Sequence, residues 1–203
     1  MRVLGLDSAS PSPAIALVRD AEGLSEEDSE PLPHGAAELL NRRLETLLHR
    51  ARIDASAVDR IAVVAGPGSF TGVRAGIAFT RGLARALGVP LVARSTFAAA
   101  SEALADPAAV AFLLDAGRGD VHVAYRDAGR LVEEPRPVPR EHALEEAGRR
   151  GLAVRSLDTE PLPLAAAVAR LASDAEAGSA DVAALYGRPS AAEEKRARHP
   201  EGR

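Results

Sequence analysis

Cysteine is absent from this chain of 203 residues, which excludes a disulfide framework and any thiolate chemistry. The same absence agrees with a reducing compartment, and the cytoplasm is the expected location. Tryptophan is missing too, and aromatic residues make up only 3% of the chain. An apolar core therefore has to be assembled from Ala, Val and Leu. No apolar run approaches the ~20 residues that cross a bilayer. The opening MRVLGLDSA has neither the long apolar region nor the cleavage pattern of a secretory leader, so no membrane contact is expected. Excess positive charge is also lacking. A formal net charge of −4 argues against this chain alone gripping a nucleic-acid backbone. What is present is a 46% hydrophobic content, enough for the core of one large domain or two small ones.

The stretch from Arg60 to Ala93 organises the rest. Ile61 to Ala65 is a short, nearly continuous apolar run, the pattern of a strand buried on both faces. Gly66-Pro67-Gly68-Ser69 breaks it with turn residues. Helical spacing then runs from Phe70 to Leu87, Gly88 supplies the stop, and Val89–Ala93 reads as a second strand. Strand, turn, helix and strand in this order predict a parallel sheet and an α/β class.

That helix is rich in small residues. Gly72, Gly76 and Gly82 lie inside it, and each costs roughly 1 kcal/mol relative to Ala. Gly72, Ala75, Gly76, Phe79, Thr80 and Leu83 recur at helical spacing along one stripe, which lets another backbone approach closely. Three readings offset the cost of the glycines. The helix packs tightly on its own sheet, or it pairs with a helix of another chain, or GPGS holds a phosphate at the helix N-terminus. The last ranks lowest, because the Gly-Lys-Ser/Thr ending of a nucleotide phosphate loop is missing.

Elsewhere, Arg2 to Leu6 reads as a strand ending at Asp7, followed by the turn Ser8–Pro13 and a returning strand, Ala14 to Val18. Asp20, Glu22, Glu26, Glu27, Asp28 and Glu30 mark an acidic edge strand and loop. A helix beginning at His34 buries Leu39, Leu40, Leu44, Leu47 and Leu48. His34 and Glu38 have metal-holding spacing but no third ligand nearby, so a solvated helix start is the better account. Ser95-Thr96 caps a helix from Phe97 to Leu104. Ala109 to Leu114, Asp115, a small-residue turn and Asp120–Tyr125 then repeat the strand–Asp–turn–strand order of the N-terminus about 108 residues later. This repeat predicts a duplicated fold. A short helix (Glu141–Arg149), a strand (Leu152–Leu157) and an Ala-rich helix (Leu162–Glu176) complete a thinner second half. The expected lobes are 1–105 and 106–190, and the charged, aperiodic stretch 191–203 predicts a disordered tail.

Gly-Pro-Gly-Ser-Phe-Thr-Gly-Val-Arg, followed by Arg81-Gly82-Leu83-Ala84 and Gly88-Val89-Pro90, resembles the bacterial TsaB (YeaZ) family. Val182–Tyr186 with Gly187-Arg188-Pro189 resembles that family's closing Leu-Tyr-x-Arg segment. The resemblance implies an actin-like, Hsp70-like ATPase-superfamily fold of duplicated ribonuclease-H-like lobes, here with the second lobe reduced. It also implies a non-catalytic dimerisation subunit in tRNA threonylcarbamoyladenosine synthesis. The implied partners are the catalytic relative TsaD and the ATPase subunit TsaE, and tRNA is met only indirectly. The interface would use Gly72, Val73, Ala75, Gly76, Phe79, Thr80 and Leu83, with a homodimer through the same helix when the chain is alone. In the catalytic relatives, Asn-His-x-x-x-His holds a metal. Alignment from Gly88-Val89-Pro90 puts Thr96 and Ala100 at those histidines, and neither can replace an imidazole.

Asp7, Ser8, Ser10 and Asp115 then stand as vestigial nucleotide-facing residues, since Ala9 occupies the place of a phosphate-loop glycine. No catalytic residue, metal or cofactor of its own is expected, with ATP or ADP confined to a subunit junction. The competing reading is a small actin-like-fold kinase or ATPase using Asp7 or Asp115. A peptidase is discounted, because no Ser/His/Asp arrangement stands out.

Overall fold

The strand that ends at Asp7 lies at the centre of a five-stranded sheet in the computed structural model, which describes residues 1–19, 25–28, 37–104 and 108–173. In chain order the first sheet contains β1 (Arg2–Asp7), β2 (Ala14–Arg19), β3 (Ser25–Asp28), β4 (Arg60–Val64) and β5 (Leu91–Arg94), arranged β3-β2-β1-β4-β5. β1 pairs antiparallel with β2, placing Asp7 opposite Ala14. It pairs in parallel with β4, which pairs in parallel with β5. Val3 to Asp7 and Ile61 to Val64 are buried throughout, so both faces of the sheet must be covered. Helices α1 (Ala37–Ala51) and α2 (Phe70–Leu87) cover one face. α1 does so with Leu40, Leu44, Leu47 and Leu48, whereas Leu39 is only half-buried.

α2 begins and ends where its sequence dictates. The Ser69 side chain accepts from the Gly72 N–H, and Gly88 closes the helix with φ 69°. α3 (Thr96–Ala103) is capped by Ser95, which accepts from Ala98.

The second sheet repeats the first. β6 (Val110–Gly117), β7 (Asp120–Asp127) and β8 (Arg130–Glu133) form an antiparallel meander. α4 (Arg140–Arg149) follows the two-residue strand β9 (Val138–Pro139), and β10 (Ala153–Ser156) returns parallel to β6. Strand, hairpin, helix and parallel strand therefore occur twice, as β1-β2-β3-α1-β4 and β6-β7-β8-α4-β10. This is the duplicated ribonuclease-H-like plan, with the second copy reduced. Among the described residues it has no counterpart of α2 or β5.

The helix after β10 crosses over instead. α5 (Leu164–Ser173) packs on β1, β2 and β4 of the first sheet and on α3. A cut of the chain at 105 therefore separates the two sheets but leaves α5 with the first. Gly5 explains how it fits: a Cβ there would overlap the Ala165 carbonyl oxygen, while the next residue, Leu6, faces Gly76 of α2. Alternation along β1 thus puts α5 and α2 on opposite faces.

Two further ties join the lobes. Arg126 on β7 is buried and donates to the carbonyls of Ser101 (2.8 Å) and Ala108 (3.0 Å) and to that of Leu104. Ser95 donates to the Glu133 carboxylate on β8. No helix among the described residues is long and apolar enough to cross a membrane. His34, the predicted extension of the last helix to Glu176, Val182–Pro189 and the predicted tail 191–203 lie outside the described residues.

Candidate functional site

The site that the sequence points to is where the turn after β1 meets the GPGS loop after β4. Parallel strands aim both turns at the same end of the sheet, and the contact between them is continuous. The Ser69 N–H donates to the Ala9 carbonyl at 2.8 Å. The Ser8 hydroxyl donates to the Gly72 carbonyl at 2.8 Å. A Cβ at Gly68 would overlap the Ala9 carbonyl oxygen, one at Gly72 the Ser8 carbonyl oxygen, and one at Gly76 the Ser8 hydroxyl. These glycines are required because the β1 turn lies against the helix with no room for a methyl group. Thr96 fastens the loop from the other side, its N–H donating to Gly66 (2.8 Å) and its hydroxyl to the Pro67 carbonyl.

Of the three readings of the glycines, close packing within the chain is the one that the geometry matches, with the β1 turn as the neighbour. Gly72 and Gly76 admit Ser8 of their own chain, and Val73, Gly76 and Thr80 are buried within the protomer. Thr80 donates its hydroxyl to the Gly76 carbonyl at 2.8 Å. Of the seven residues expected at an interface, Ala75, Phe79 and Leu83 remain half-buried, on the flank of α2 that also carries Gly72. The opposite flank is exposed and basic. There the Arg74 guanidinium lies 3.9 Å from the centroid of the Phe70 ring, with Arg81 and Arg85 further along.

Asp7 is fully buried and works as a turn cap. One carboxylate oxygen accepts from the N–H groups of Ala9 (2.9 Å) and Ser10 (3.2 Å), and the other accepts from the Ser10 hydroxyl. Burial pushes its pKa above the ordinary 3.8, against the pull of the hydrogen bonds from Ser10 and Ala9. With Asp7 capped inwards, Ser8 docked on α2 and Ser10 bonded to Asp7, the first turn spends its polar groups on its own fold. Asp115 is in the other sheet. It is exposed at the end of β6, its N–H donating to Asp158 at 2.9 Å. Thr96 and Ala100 are both buried in α3. Among the described residues no three His, Asp or Glu side chains gather as a metal site.

The family model described as TsaD, tRNA N6-adenosine threonylcarbamoyltransferase, matches residues 34–143, over half of the chain. The chain belongs to this TsaD/TsaB (YeaZ) family. The transferase of Ruegeria pomeroyi is 31% identical over 111 residues, covering 45% of this chain and 30% of the relative. The tRNA threonylcarbamoyladenosine biosynthesis protein TsaB of Escherichia coli is 31% identical over 96 residues, covering 47% and 41%. The chain thus spans about a third of the length of the curated transferases it matches. A solved structure from Pseudomonas aeruginosa, described as similar to peptidase YeaZ, superposes with a TM-score of 0.73. It is 26% identical, covering 92% of this chain and 99% of that one. A second, YeaZ from the same organism, gives 0.69 at 28% identity, covering 89% and 97%.

Sequence reasoning missed the partners of the glycines and the ties between the lobes. Ser8 and Ala9, two small residues after the first buried Asp, were the available signal for the close approach. Nothing in sequence marks Glu133 as the partner of Ser95.

Proposed function

We propose that this chain is the non-catalytic partner subunit of a tRNA threonylcarbamoyltransferase. In this role it binds a TsaD-type relative and holds that relative in its active form for modification of adenosine 37. The observation that carries the reading is the fold shared along nearly the whole chain with YeaZ of Pseudomonas aeruginosa. The likeness to the Escherichia coli protein named for threonylcarbamoyladenosine biosynthesis supports it. So do Thr96 and Ala100, which offer no imidazole where the resemblance places metal-binding histidines, and the β1 turn, whose polar groups are taken up internally. A TsaE-type ATPase would complete the assembly in the cytoplasm. Any ATP or ADP would sit at a junction between subunits, and tRNA would be met through the partner.

The docking surface is the flank of α2 bearing Ala75, Phe79 and Leu83, whose apolar side chains remain half-buried. Gly76→Leu is not a clean probe of that surface, because the new side chain meets Ser8 inside the fold. Ala75→Arg is the better test. It should lower co-purification with the TsaD-type relative at least tenfold, with the melting temperature unchanged. Full complex formation by that variant moves the interface elsewhere. Tight ATP binding with turnover by the isolated chain would favour the kinase or ATPase reading instead.

A further inference from the structure

The pairing of β4 with β5 runs on past the ends of both strands. The Ala65 N–H donates to the Arg94 carbonyl at 2.9 Å, and the Thr96 N–H donates to the Gly66 carbonyl at 2.8 Å. The Thr96 hydroxyl takes the next carbonyl, that of Pro67. Residues 65–67 are thus zipped onto 94–96. Two residues later Ser69 starts α2, its side chain accepting from the Gly72 N–H and its carbonyl from the Val73 N–H at 2.8 Å.

Ser95, beside Thr96, faces the other lobe. Its buried hydroxyl caps α3 by accepting from the Ala98 N–H at 2.9 Å. The same hydroxyl donates to the carboxylate of Glu133, an exposed residue at the end of β8. Glu133 stands in register with Ala124, and Ala124 with Phe112, so the three share one face of the second sheet. Ala124 and Phe112 belong to the apolar cluster that also holds Phe97 of α3. Glu133 therefore marks the rim of the surface by which the second lobe rests on the first. One peptide unit separates the grip on that lobe from the grip on the loop that begins α2.

We propose that Ser95-Thr96 is a relay through which the second lobe seats the first turn of α2, with Glu133 as its positioning residue. The element that it biases is the local opening of that turn. The bond to Glu133 steadies Ser95, Thr96 passes the constraint to Gly66 and Pro67, and the cap at Ser69 closes more firmly. The β1 turn holds the same loop through Ala9 and Ser69, so the relay adjusts the turn without having to build it. Because α2 carries the docking flank named above, the second lobe would also govern how that flank is presented. This last consequence rests on the proposed subunit role.

Hydrogen exchange of the Gly72 and Val73 amides, measured on the full chain without a partner, tests the relay. Glu133→Ala should speed both by about threefold to tenfold, the size of one hydrogen bond, while the amides of α1 exchange as before. Glu133→Gln keeps an acceptor oxygen for Ser95 and should retain native rates. Glu102→Gln weakens the Arg170 pair near the other end of α3 and should leave the two amides unmoved. Contacts in series share one effect, so adding Glu133→Ala to Thr96→Val should change the rates by less than about twofold. Four results would each overturn the proposal: an unchanged first turn in Glu133→Ala, an equal effect of Glu133→Gln, a like effect of Glu102→Gln, or factors that multiply in the double variant. No TsaD-type partner enters the experiment, so its failure would leave the subunit role standing.

Discussion

The two lobes start from one plan and differ in how tightly they are finished. In the first, glycines 5, 72 and 76 sit where backbone or hydroxyl groups of another element leave no space for a side chain. In the second, glycines 117, 119, 129, 148 and 151 have nothing within 4 Å of a notional Cβ. The first sheet is flanked on both faces, by α1 and α2 on one and α5 on the other, while the second has no counterpart of α2 or β5 among the described residues. The GPGSFTGVR stretch is therefore a closure, the part of the chain that must accept the β1 turn.

Substituting glycine by alanine in each lobe should separate them. Gly72→Ala drives a methyl group into the Ser8 carbonyl and should cost about 3 kcal/mol or more, measured by urea unfolding. A cost below about 1 kcal/mol would mean that the turn yields, and the contrast between the lobes would fail. Arg126→Met should follow at about 2–3 kcal/mol, because it strands carbonyls of Ser101, Leu104 and Ala108 that the guanidinium satisfies. If this loss is confined to the second lobe, hydrogen exchange will show faster opening in β6–β8 with α2 unaffected. Equal acceleration in both lobes would show that the tie serves the whole molecule.

Asp7 gives a finer test, since burial dominates its titration. Its folded pKa lies above the unfolded value, so the stabilisation linked to its proton is full below about 3.8 and is lost as pH rises through the folded pKa. Compared with Asp7→Asn, the native chain should therefore lose relative stability from acid pH towards neutrality. A difference that is flat or grows with pH would show that the hydrogen bonds of the turn outweigh desolvation. The smallest effect belongs to the second lobe. Gly148→Ala, inside α4 with open space around it, should raise stability by about 0.5–1 kcal/mol.

Much of this was legible in sequence. The apolar run Ile61–Ala65, the turn residues and the helical spacing located β4, α2 and β5 to within two residues. The repeated strand–Asp–turn–strand order announced the duplication, because hairpins carry their own local signals. The purpose of Gly72 and Gly76 was not legible. A glycine declares that something comes close, but the identity of the neighbour depends on β1, which lies more than sixty residues earlier. The destination of α5 was hidden for a related reason. Ala165, Ala166, Ala167 and Ala169 are all buried, and a helix of alanines shows no preferred side from which to read its resting place.

The crossing of α5 also bears on how the polypeptide is born. Gly5 leaves the ribosome 160 residues ahead of Ala165, the residue it awaits. Until then the rear of the opening sheet stays bare, so a nascent chain stalled before residue 164 should need a chaperone's shelter. Maturation is set by this long-range seam, which is slow to close because its two sides are so far apart along the thread.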